Sequence, residues 1–356
     1  GLYTSPHLRD FRERIRVNGQ MIAEQQVVDF IQQNKANLER IKPSFFETTV
    51  AMAFEYFANE QVDIAVVEVG LGGRLDSTNI ISPLFSIITN IGFDHVAILG
   101  NTLSQIATEK AGIIKPNTPV IIGQKDEATA AVFIQKAKQC DSKITFADEV
   151  YQTQQATHSS ADLLTIAYQN LLSPQAITQT LDLDLTGSYQ IKNVATVLTA
   201  VDELREQGFV ISDSCVHQAL RQVNNLTGLM GRWQTLSKQP LIICDTGHNE
   251  AGISEVVKNI RATPHRRLHM VIGMVGDKDS DAILALLPQN AQYYFCAPNI
   301  PRAKPVTELT QEAATKGLKG EIFDSVNQAL QAAKAEAALD DLIFVGGSTF
   351  VVAEIV

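Results

Sequence analysis

An apolar run that passes directly into a glycine-rich loop is the feature that most constrains the fold of this chain. Residues 62 to 79 read VDIAVVEVGLGGRLDSTN. From Ile64 to Val69 nearly every residue is apolar and most are β-branched, which predicts a parallel strand buried on both faces. Glu68 interrupts the run, and an ionised carboxylate there is costly unless a cation or hydrogen-bond donors meet it. We therefore expect Glu68 to lie where the strand ends.

The loop after this strand carries the residue types of a ligand site. Its glycines permit positive φ and close backbone approach, and a cation, an anion and an amide follow at once: Gly70, Gly72, Gly73, Arg74, Asp76 and Asn79. Ligands of open α/β sheets gather at the carboxyl ends of strands. The alternative is that Glu68 ends its strand in solvent and the glycines only form a turn, since one glycine-rich loop is a weak signal.

A second apolar run strengthens the ligand-site interpretation. Residues 85 to 90 predict another buried strand, and the segment GFDHVAILG follows it. Neighbouring parallel strands end at one edge of a sheet, so Asp94 and His95 are expected at the same edge as Glu68 and Asp76. The pattern predicts that these polar side chains converge on one site.

Composition narrows the class of protein. A chain of 356 residues is too long for one ordinary core and fits two domains, and its 45% hydrophobic content is typical of a globular protein. The net charge of −10 disfavours a polyanion-binding surface, so we expect no nucleic-acid partner. Four scattered cysteines without a CxxC pair favour reduced thiols in the cytoplasm. No apolar run approaches the roughly 20 residues of a membrane helix, so we expect no membrane partner.

Alternating apolar runs and helical patterns predict an α/β fold in two domains. Residues 1–228 are expected to form a parallel-sheet domain with a small antiparallel excursion in residues 142 to 186, where Thr, Gln and alternating patterns replace long apolar runs. Gly228 and Gly231 interrupt the pattern at the boundary. Residues 229–356 are expected to form a Rossmann-like domain, whose buried strand from Leu241 to Cys244 ends in the polar turn DTGHN.

A helix that begins after Pro43 carries residues with two interpretations. Ser44 and Glu47 fit a capping box at its N-terminus. Phe45 and Phe46 follow in the first turn, where they are either core residues or one wall of an aromatic ligand site. For at least one of the two phenylalanines, we expect core packing.

Three more positions are ambiguous as isolated residues. Ser5 offers a hydroxyl for phosphate or metal but also fits a plain Ser-Pro turn. Lys110 stands in the last turn of a predicted helix, where it could simply complement the helix dipole. Asn193 stands near the N-terminus of another predicted helix, where it could meet an anion or a base, or act as an N-cap.

Several long motifs in the right order resemble one family over nearly the whole chain. They are YTSPHL, EVGLGGRLDSTN, FDH, EKAGI, GRWQ, DTGHN and FVGGS, together with the helix that carries Asn193. These motifs resemble those of the folylpolyglutamate synthases and bifunctional dihydrofolate synthases of the Mur ligase superfamily. This resemblance implies a P-loop-type N-terminal domain followed by a smaller Rossmann-like domain, with ATP bound between them.

The resemblance also implies roles for individual residues. Mg²⁺ ligands are expected at Ser5, Glu68 and His95, although a histidine ligand is unusual for Mg²⁺ and is inferred only by similarity. Lys110 matches a lysine that is carbamylated in relatives, and we group it with His248 as catalytic. The expected ATP contacts are Asn193, Arg232 and Asp245. The segments that match the site of a pterin-bearing substrate consist of Ser44, Phe45, Phe46, Glu47, Leu75, Asp76 and Ser77.

The activity implied by the resemblance is ATP-dependent amide formation. The expected enzyme uses Mg²⁺ and ATP to convert a carboxylate of folate or dihydropteroate to an acyl phosphate, which the amine of L-glutamate attacks. We expect it to work as a monomer. Two alternatives stay open: a Mur-type cell-wall peptide ligase with the same mechanism, and a non-catalytic remnant that binds nucleotide or folate.

One family motif does not occur in the sequence. The resemblance predicts a phosphate-binding loop of the type GxxGKGS before YTSPHL, and these 356 residues contain no Gly-Lys-Ser or Gly-Lys-Thr loop. We therefore expect the N-terminal domain to be truncated before this loop, and the fragment itself to lack activity.

Overall fold

The structure, a computed structural model, describes residues 1–156, 162–175, 177–276 and 280–356. The chain combines helices with strands in both of its halves, and helices alternate with strands most regularly after Leu241. The first elements are β1 (Leu2–Tyr3), β2 (Ile15–Val17), β3 (Gln20–Met21), α1 (Glu24–Gln33), α2 (Lys35–Ile41), α3 (Phe45–Asn59), β4 (Val66–Val67), β5 (Ser86–Ile88), α4 (Val96–Leu99), α5 (Leu103–Lys110), β6 (Val120–Ile122), α6 (Ala130–Gln139), β7 (Ile144–Phe146) and α7 (Ala147–Val150).

A small sheet and three helices lead to the C-terminal sheet. The middle elements are β8 (Tyr151–Gln155), β9 (Leu164–Asn170), β10 (Thr178–Leu183), α8 (Gln190–Glu206), α9 (Asp213–Leu220) and α10 (Val223–Thr227). The C-terminal elements are β11 (Gln234–Lys238), β12 (Leu241–Asp245), α11 (Glu250–Ala262), β13 (Leu268–Ile272), α12 (Ser280–Leu286), β14 (Gln292–Phe295), α13 (Val306–Thr315), β15 (Gly320–Ile322), α14 (Val326–Glu336), β16 (Leu342–Gly346) and α15 (Thr349–Ala353).

The helix predicted after Pro43 is confirmed with its capping box. The Ser44 hydroxyl accepts a hydrogen bond from the Glu47 amide (3.2 Å), and the Glu47 carboxylate accepts one from the Ser44 amide (2.6 Å). Val50, Met52, Ala53 and Phe57 on one side of α3 are buried against β1 and β2, in a core that contains Tyr3 and Ile15. The cap therefore fixes where α3 begins, and its apolar face fixes how it packs.

The strand predicted from Ile64 to Val69 is much shorter and more exposed than expected. The N-terminal sheet has the order β3-β2-β1-β4, and β4 pairs in parallel with β1 through Leu2–Val66 and Tyr3–Val67. Val66 is 62% exposed. The prediction that this strand is buried on both faces is wrong, because β4 is an edge strand with one hydrogen-bonded neighbour.

The second predicted strand also lies at an edge. β5 begins a separate parallel sheet of order β5-β6-β7, in which Ser86 and Ile88 are buried but Ile87 is exposed. β4 and β5 therefore belong to different sheets, and the expectation that they are neighbouring strands of one sheet is wrong. Sheet order therefore does not show whether the polar segments after β4 and β5 lie close together, and only their side-chain contacts can.

The antiparallel excursion is present but starts later than expected. β8, β9 and β10 pair antiparallel in the order β10-β9-β8. β7 pairs in parallel with β6, so the parallel sheet continues past residue 142 to Phe146. Apolar residues of α8, among them Val194 and Leu198, pack against the small sheet and form one core with it.

The C-terminal sheet has the order β11-β12-β16-β13-β14-β15. β12 to β15 are parallel, whereas β11 pairs antiparallel with β12. All five residues of β13 are buried because the sheet has a hydrophobic core on each face. The loops after the parallel strands meet at one edge, and the DTGHN turn lies there. The predicted boundary falls at Gly228, which ends α10 in a left-handed conformation.

No helix in the described ranges is both long enough and apolar enough to span a membrane.

Candidate active site

Ser5 and Glu68 lie together because β1 and β4 run in parallel and end side by side. The Ser5 amide donates a hydrogen bond to Glu68 Oε2 (2.7 Å), and the Glu68 amide donates to the Tyr3 carbonyl (2.9 Å). Although one side of Glu68 stays open to solvent, burial raises its pKa, while the Ser5 amide and the charges of Arg232 and Arg14 act in the opposite direction. Donors and cations thus meet this carboxylate, as the sequence argument required.

A cavity of about 250 Å³ opens beside Ser5. Its walls include Phe46 and Asp76, so the structure brings together residues predicted separately for metal and substrate binding: Ser5, Pro6, Arg14, Phe46, Gly70, Leu71 and Asp76. Arg14 was missed by the sequence argument. The segment FRERIRV also carries Arg12, Glu13 and Arg16, so nothing in it distinguishes Arg14 from its charged neighbours.

Arg14 has two partners at the cavity wall. Its side chain is buried, its Nε donates to His7 Nδ1 (2.8 Å), and its guanidinium lies 5.5 Å from the centre of the Phe45 ring. Burial lowers the pKa of His7, and the Arg14 charge lowers it further. Arg14 is therefore a fixed positive charge beside an open aromatic face.

The two phenylalanines of α3 have different environments. Phe46 packs over Gly70, where an added Cβ would lie 2.2 Å from Phe46 Cζ, so glycine is required for this contact. Phe45 is 61% exposed and touches the edge of Phe11 at 5.7 Å between ring centres. The expectation that at least one of the pair packs internally agrees with Phe46, and Phe45 leaves an accessible ring.

The glycine-rich loop is held rigidly by its own polar side chains. Asp76 accepts hydrogen bonds from the Leu71 amide (2.8 Å), the Thr78 amide (2.9 Å) and the Thr78 hydroxyl (2.5 Å). Leu75 projects at the tip with 79% exposure, and Ser77 begins a short 3₁₀ helix. The loop therefore presents an apolar side chain on a fixed frame.

The same loop is attached to the C-terminal end of α5. Arg74 forms a bidentate ion pair with Glu109, at 3.0 and 3.2 Å, and its amide donates to the Glu109 carbonyl (2.9 Å). A Cβ at Gly112 would lie 2.3 Å from Arg74 Cα, so this approach requires glycine. The contact places the loop next to Lys110.

Lys110 is the last residue of α5 and is partly buried. Burial lowers its pKa, and the negative charge of Asp94 partly opposes this effect. Among the described residues, none hydrogen-bonds to Lys110 Nζ. Its environment therefore differs from that of an exposed lysine that only complements the helix dipole.

His95 and His248 come from different domains and face the same carboxylate. Asp94 Oδ1 lies 3.8 Å from His95 Nε2, and Asp94 Oδ2 lies 3.6 Å from His248 Nε2. Asn249 Nδ2 donates to Asp94 Oδ2 (3.0 Å). His95 itself has φ 49° and precedes α4. The FDH segment and the DTGHN turn therefore meet across the domain boundary.

Asp245 organises the end of β12. Its buried carboxylate accepts hydrogen bonds from the Tyr189 hydroxyl (2.8 Å), the Trp233 amide (2.7 Å) and the Gly247 amide (2.8 Å). Burial raises the pKa of Asp245, and these donors and the Arg232 charge oppose the shift. The carboxylate thus joins three segments: the start of α8, the GRW turn and the DTGHN turn.

The other two predicted ATP contacts lie on these segments. Arg232 Nη1 donates to the Thr246 hydroxyl and approaches the Gly231 carbonyl (3.4 Å). Asn193 lies in the first turn of α8, is exposed, and donates to Gln190 Oε1 (2.7 Å). Asn193 therefore follows the N-cap position, which Tyr189 occupies. The alternative that Asn193 is itself the N-cap is wrong.

The predicted metal ligands form a pair and a separate third residue. Ser5 and Glu68 are adjacent, and Glu68 Oε1 forms no hydrogen bond within the described residues, which leaves it available to a cation. Hydroxyl and carboxylate oxygens are the donors that Mg²⁺ prefers. His95 lies with Asp94 instead. In the described part of the chain, no three His, Cys, Asp or Glu residues are grouped as a ready metal site.

Two family models match most of the chain. Residues 20–201 match the family described as Mur ligase middle domain, and residues 231–349 match the family described as Mur ligase, glutamate ligase domain. The folylpolyglutamate synthase of Lacticaseibacillus casei is 31% identical, over 98% of this chain and 81% of its own length. A Haloferax volcanii protein named "Probable bifunctional folylpolyglutamate synthase/dihydropteroate synthase" is also 31% identical, but the chain spans only 42% of it.

Solved structures give the same result. The structure titled "E.coli FolC in complex with DHPP and ADP" is 30% identical, with a TM-score of 0.86 over 100% of this chain and 80% of that one. A bifunctional folylpolyglutamate synthase/dihydrofolate synthase from Yersinia pestis, complexed with AMPPNP and Mn, is 28% identical, with a TM-score of 0.85 over 99% of this chain and 80% of that one. Structural relatives thus include nucleotide and divalent-metal complexes, and the fold is the two-domain α/β fold of these ligases. The chain belongs to the folylpolyglutamate synthase/dihydrofolate synthase family of the Mur ligases.

Proposed function

We propose that this protein acts in the ATP-dependent addition of L-glutamate to folate or dihydropteroate. The observation that carries the proposal is the cavity beside Ser5. A predicted metal ligand, Ser5, lines it together with Phe46 and Asp76 from the predicted substrate site, and the fixed charge of Arg14 lies in its wall. A mainly apolar cavity that carries the Arg14 charge in its wall and lies beside aromatic rings suits a flat heterocycle attached to a carboxylate.

We assign the predicted substrate residues two kinds of role. Phe45 offers the exposed ring on which a pterin would stack, and Leu75 offers an exposed apolar side chain at the loop tip. Phe46, Asp76 and Ser77 hold the cavity wall and the loop frame. Ser44 and Glu47 act indirectly, since their polar groups are already engaged in the cap of α3.

Nucleotide binding is assigned to the segments that Asp245 joins. Arg232 supplies a positive charge for phosphate, and Asn193 supplies an exposed amide on the first turn of α8. Asp245 holds both segments in register, and His248 lies at the turn that faces Asp94. The phosphates would then lie between the two domains, close to Glu68.

The site also suits Mg²⁺ in part. Ser5 and Glu68 would hold the ion, and His95 would have to approach from the Asp94 side to complete the set. When bound, Mg²⁺ would disperse negative charge on the phosphates during transfer. Arg232 and Arg14 contribute positive charge near Glu68 in the same region.

Lys110 is proposed to be carbamylated. Only a neutral amine adds CO₂, and burial lowers the pKa of Lys110 in the required direction. The resulting carboxylate would support a metal, whereas the ammonium would repel it. His248, whose Nδ1 faces the Thr246 carbonyl at 3.0 Å, presents Nε2 towards the same region.

The chemistry then depends on positioning. Transfer of the γ-phosphoryl group of ATP to the acceptor carboxylate gives an acyl phosphate, the glutamate amine attacks its carbonyl carbon, and phosphate leaves. In this proposal the site residues bind and orient the substrates and neutralise charge, and none of them forms a covalent bond to substrate.

Direct assays can test the proposed function. The protein expressed from its whole coding sequence should incorporate labelled L-glutamate in the presence of ATP and Mg²⁺ with dihydropteroate or a reduced folate, and calorimetry should show separate binding of AMPPNP and of the pterin acceptor. A UDP-linked sugar peptide is the matched control acceptor. Glutamate transfer to that peptide alone would favour a cell-wall ligase, and binding without transfer to either acceptor would favour a non-catalytic binding protein.

We also propose that the protein is a cytoplasmic monomer. Cys140, Cys244 and Cys296 are buried free thiols and Cys215 is an exposed one, which suits a reducing compartment. Light scattering coupled to size-exclusion chromatography should give the mass of one chain, and a dimer mass would reject the proposal.

A further inference from the structure

We propose that Asp94 is a positioning residue that latches the two domains together through Asn249. The latch joins the FDH segment, which follows β5, to the DTGHN turn, which follows β12. These two residues are 155 positions apart in the chain, so the contact is wholly tertiary. Only the kinetic part of this inference rests on the proposed function.

The Asn249 side chain forms two hydrogen bonds, and together they fix the orientation of its amide group. As the N-cap of α11, it accepts a hydrogen bond at Oδ1 from the Gly252 amide (2.8 Å). With the oxygen engaged by the helix, Nδ2 must point away from it, and there it donates to Asp94 Oδ2 (3.0 Å). The helix cap therefore aims the amide donor at the other domain.

Asp94 is also fixed on its own side of the boundary. Its Oδ1 accepts a hydrogen bond from the His95 amide (2.8 Å), which leaves Oδ2 directed at Asn249 and His248. A charged acceptor strengthens the bond from Asn249 relative to a neutral one. One carboxylate thus spans the loop that carries His95 and the turn that carries His248.

The position of the latch gives it a functional consequence. The DTGHN turn begins at Asp245 and carries His248, whereas the FDH loop carries His95 and lies near Lys110, whose pKa is affected by the Asp94 charge. Breaking the latch should therefore let the two halves of the site separate without removing any group proposed to contact ATP. This would raise the KM for ATP and widen the range of domain separations.

A set of charge and donor swaps tests the latch. Asn249→Asp keeps a good N-cap oxygen for α11 but replaces the amide donor by a carboxylate that repels Asp94. Asp94→Asn removes the charge and leaves the cap untouched. The double variant Asp94→Asn with Asn249→Asp restores one hydrogen bond with donor and acceptor exchanged. A residue that merely caps α11 would tolerate Asn249→Asp.

Domain separation is the readout that does not depend on activity. Spin labels at Lys138→Cys and Lys334→Cys, both exposed and one in each domain, in a Cys215→Ser background report the distance by pulsed electron resonance. We expect Asn249→Asp to lengthen and broaden the distance distribution, and to weaken AMPPNP binding about tenfold, as for a lost charged hydrogen bond. The double variant should restore most of the original distance distribution and most of the AMPPNP affinity.

Three results would overturn the latch. They are an unchanged distance distribution in Asn249→Asp, no recovery in the double variant when circular dichroism shows it folded, and equal distributions for Asp94→Asn and the unmodified chain. Should Asn249→Asp fail to fold, Asp94→Asn gives the same test with α11 intact. If AMPPNP does not bind any variant, the proposed function fails, while the distance measurements still decide on the latch.

Discussion

Replacing Asp245 by asparagine should weaken folding and nucleotide binding together, because the Asp245 carboxylate organises the end of β12. Its Oδ2 accepts from the Tyr189 hydroxyl and the Trp233 amide, and its Oδ1 accepts from the Gly247 amide. Two of these donors are backbone N–H groups, which cannot become acceptors. In either orientation, the asparagine NH₂ group therefore faces a backbone N–H group inside a buried site.

The magnitude follows from the less costly orientation. That orientation keeps the oxygen at the Oδ2 position and loses only the bond from Gly247. Hydrogen bonds to charged groups contribute about 1.5–3 kcal/mol, so we expect Asp245→Asn to lower the free energy of unfolding by about 2–3 kcal/mol. With roughly 3–5 °C per kcal/mol for a domain of intermediate size, the Tm should fall by about 6–15 °C.

Thermal unfolding and AMPPNP titration on the same samples measure the two effects. Tyr189→Phe is the matched control, because it removes one donor but leaves the carboxylate with both backbone partners, and its Tm should fall by less than half as much. An unchanged Tm for Asp245→Asn would refute the reasoning. If AMPPNP affinity fell while Tm stayed constant, Asp245 would act by touching the nucleotide and not by holding the turn.

Three further predictions concern single side chains. Phe45→Ala should weaken pterin binding at least about tenfold with little change in Tm, whereas Phe46→Ala, which removes a ring packed on the loop, should lower the free energy of unfolding by about 3 kcal/mol; fluorescence titration and thermal melts separate the two. Native mass spectrometry at neutral pH should detect one added CO₂ that Lys110→Arg abolishes, and equal masses would contradict carbamylation. Burial alone would raise the pKa of Asp341, but hydrogen bonds from the Ala338 amide and a buried histidine, with nearby arginine charges, hold it at about 2. The folded state therefore favours the carboxylate, so its stabilisation is present above the ordinary pKa near 4 and is lost as pH falls towards 2, and Asp341→Asn should flatten the acid limb of a stability curve.

Much of the fold was predictable because local chemistry specified it. The Ser44 capping box and the strand that ends in the DTGHN turn both follow from neighbouring residues. The burial of Ile64 to Val69 was not predictable in the same way. An apolar β-branched run indicates a strand, but whether the strand is central or at an edge depends on which segments pair beside it, and that is long-range information.

The geometry of the candidate site was predictable from the sequence only in part. The convergence of Asp94 and His95 with Glu68 was expected from adjacent strands, yet β4 and β5 belong to different sheets. Asp94 instead finds its partner in Asn249, from the other domain. Arg14 escaped notice because its role depends on β1 and α3 closing around it. Contacts between distant segments have no local signature, so sequence reasoning cannot reach them.

Two residues of the DTGHN turn each have two structural roles. Asn249 caps a helix and donates across the domain boundary, and Asp245 accepts from three segments that it thereby aligns. A cap or a turn can be recognised in sequence because it needs a short side-chain acceptor at one position. Its second role is seen only when the remaining donor or acceptor atom of the same side chain is followed to its partner in the structure. In this fold, the Nδ2 atom of Asn249 and the carboxylate of Asp245 both contact residues from the other side of the domain boundary, Asp94 and Tyr189.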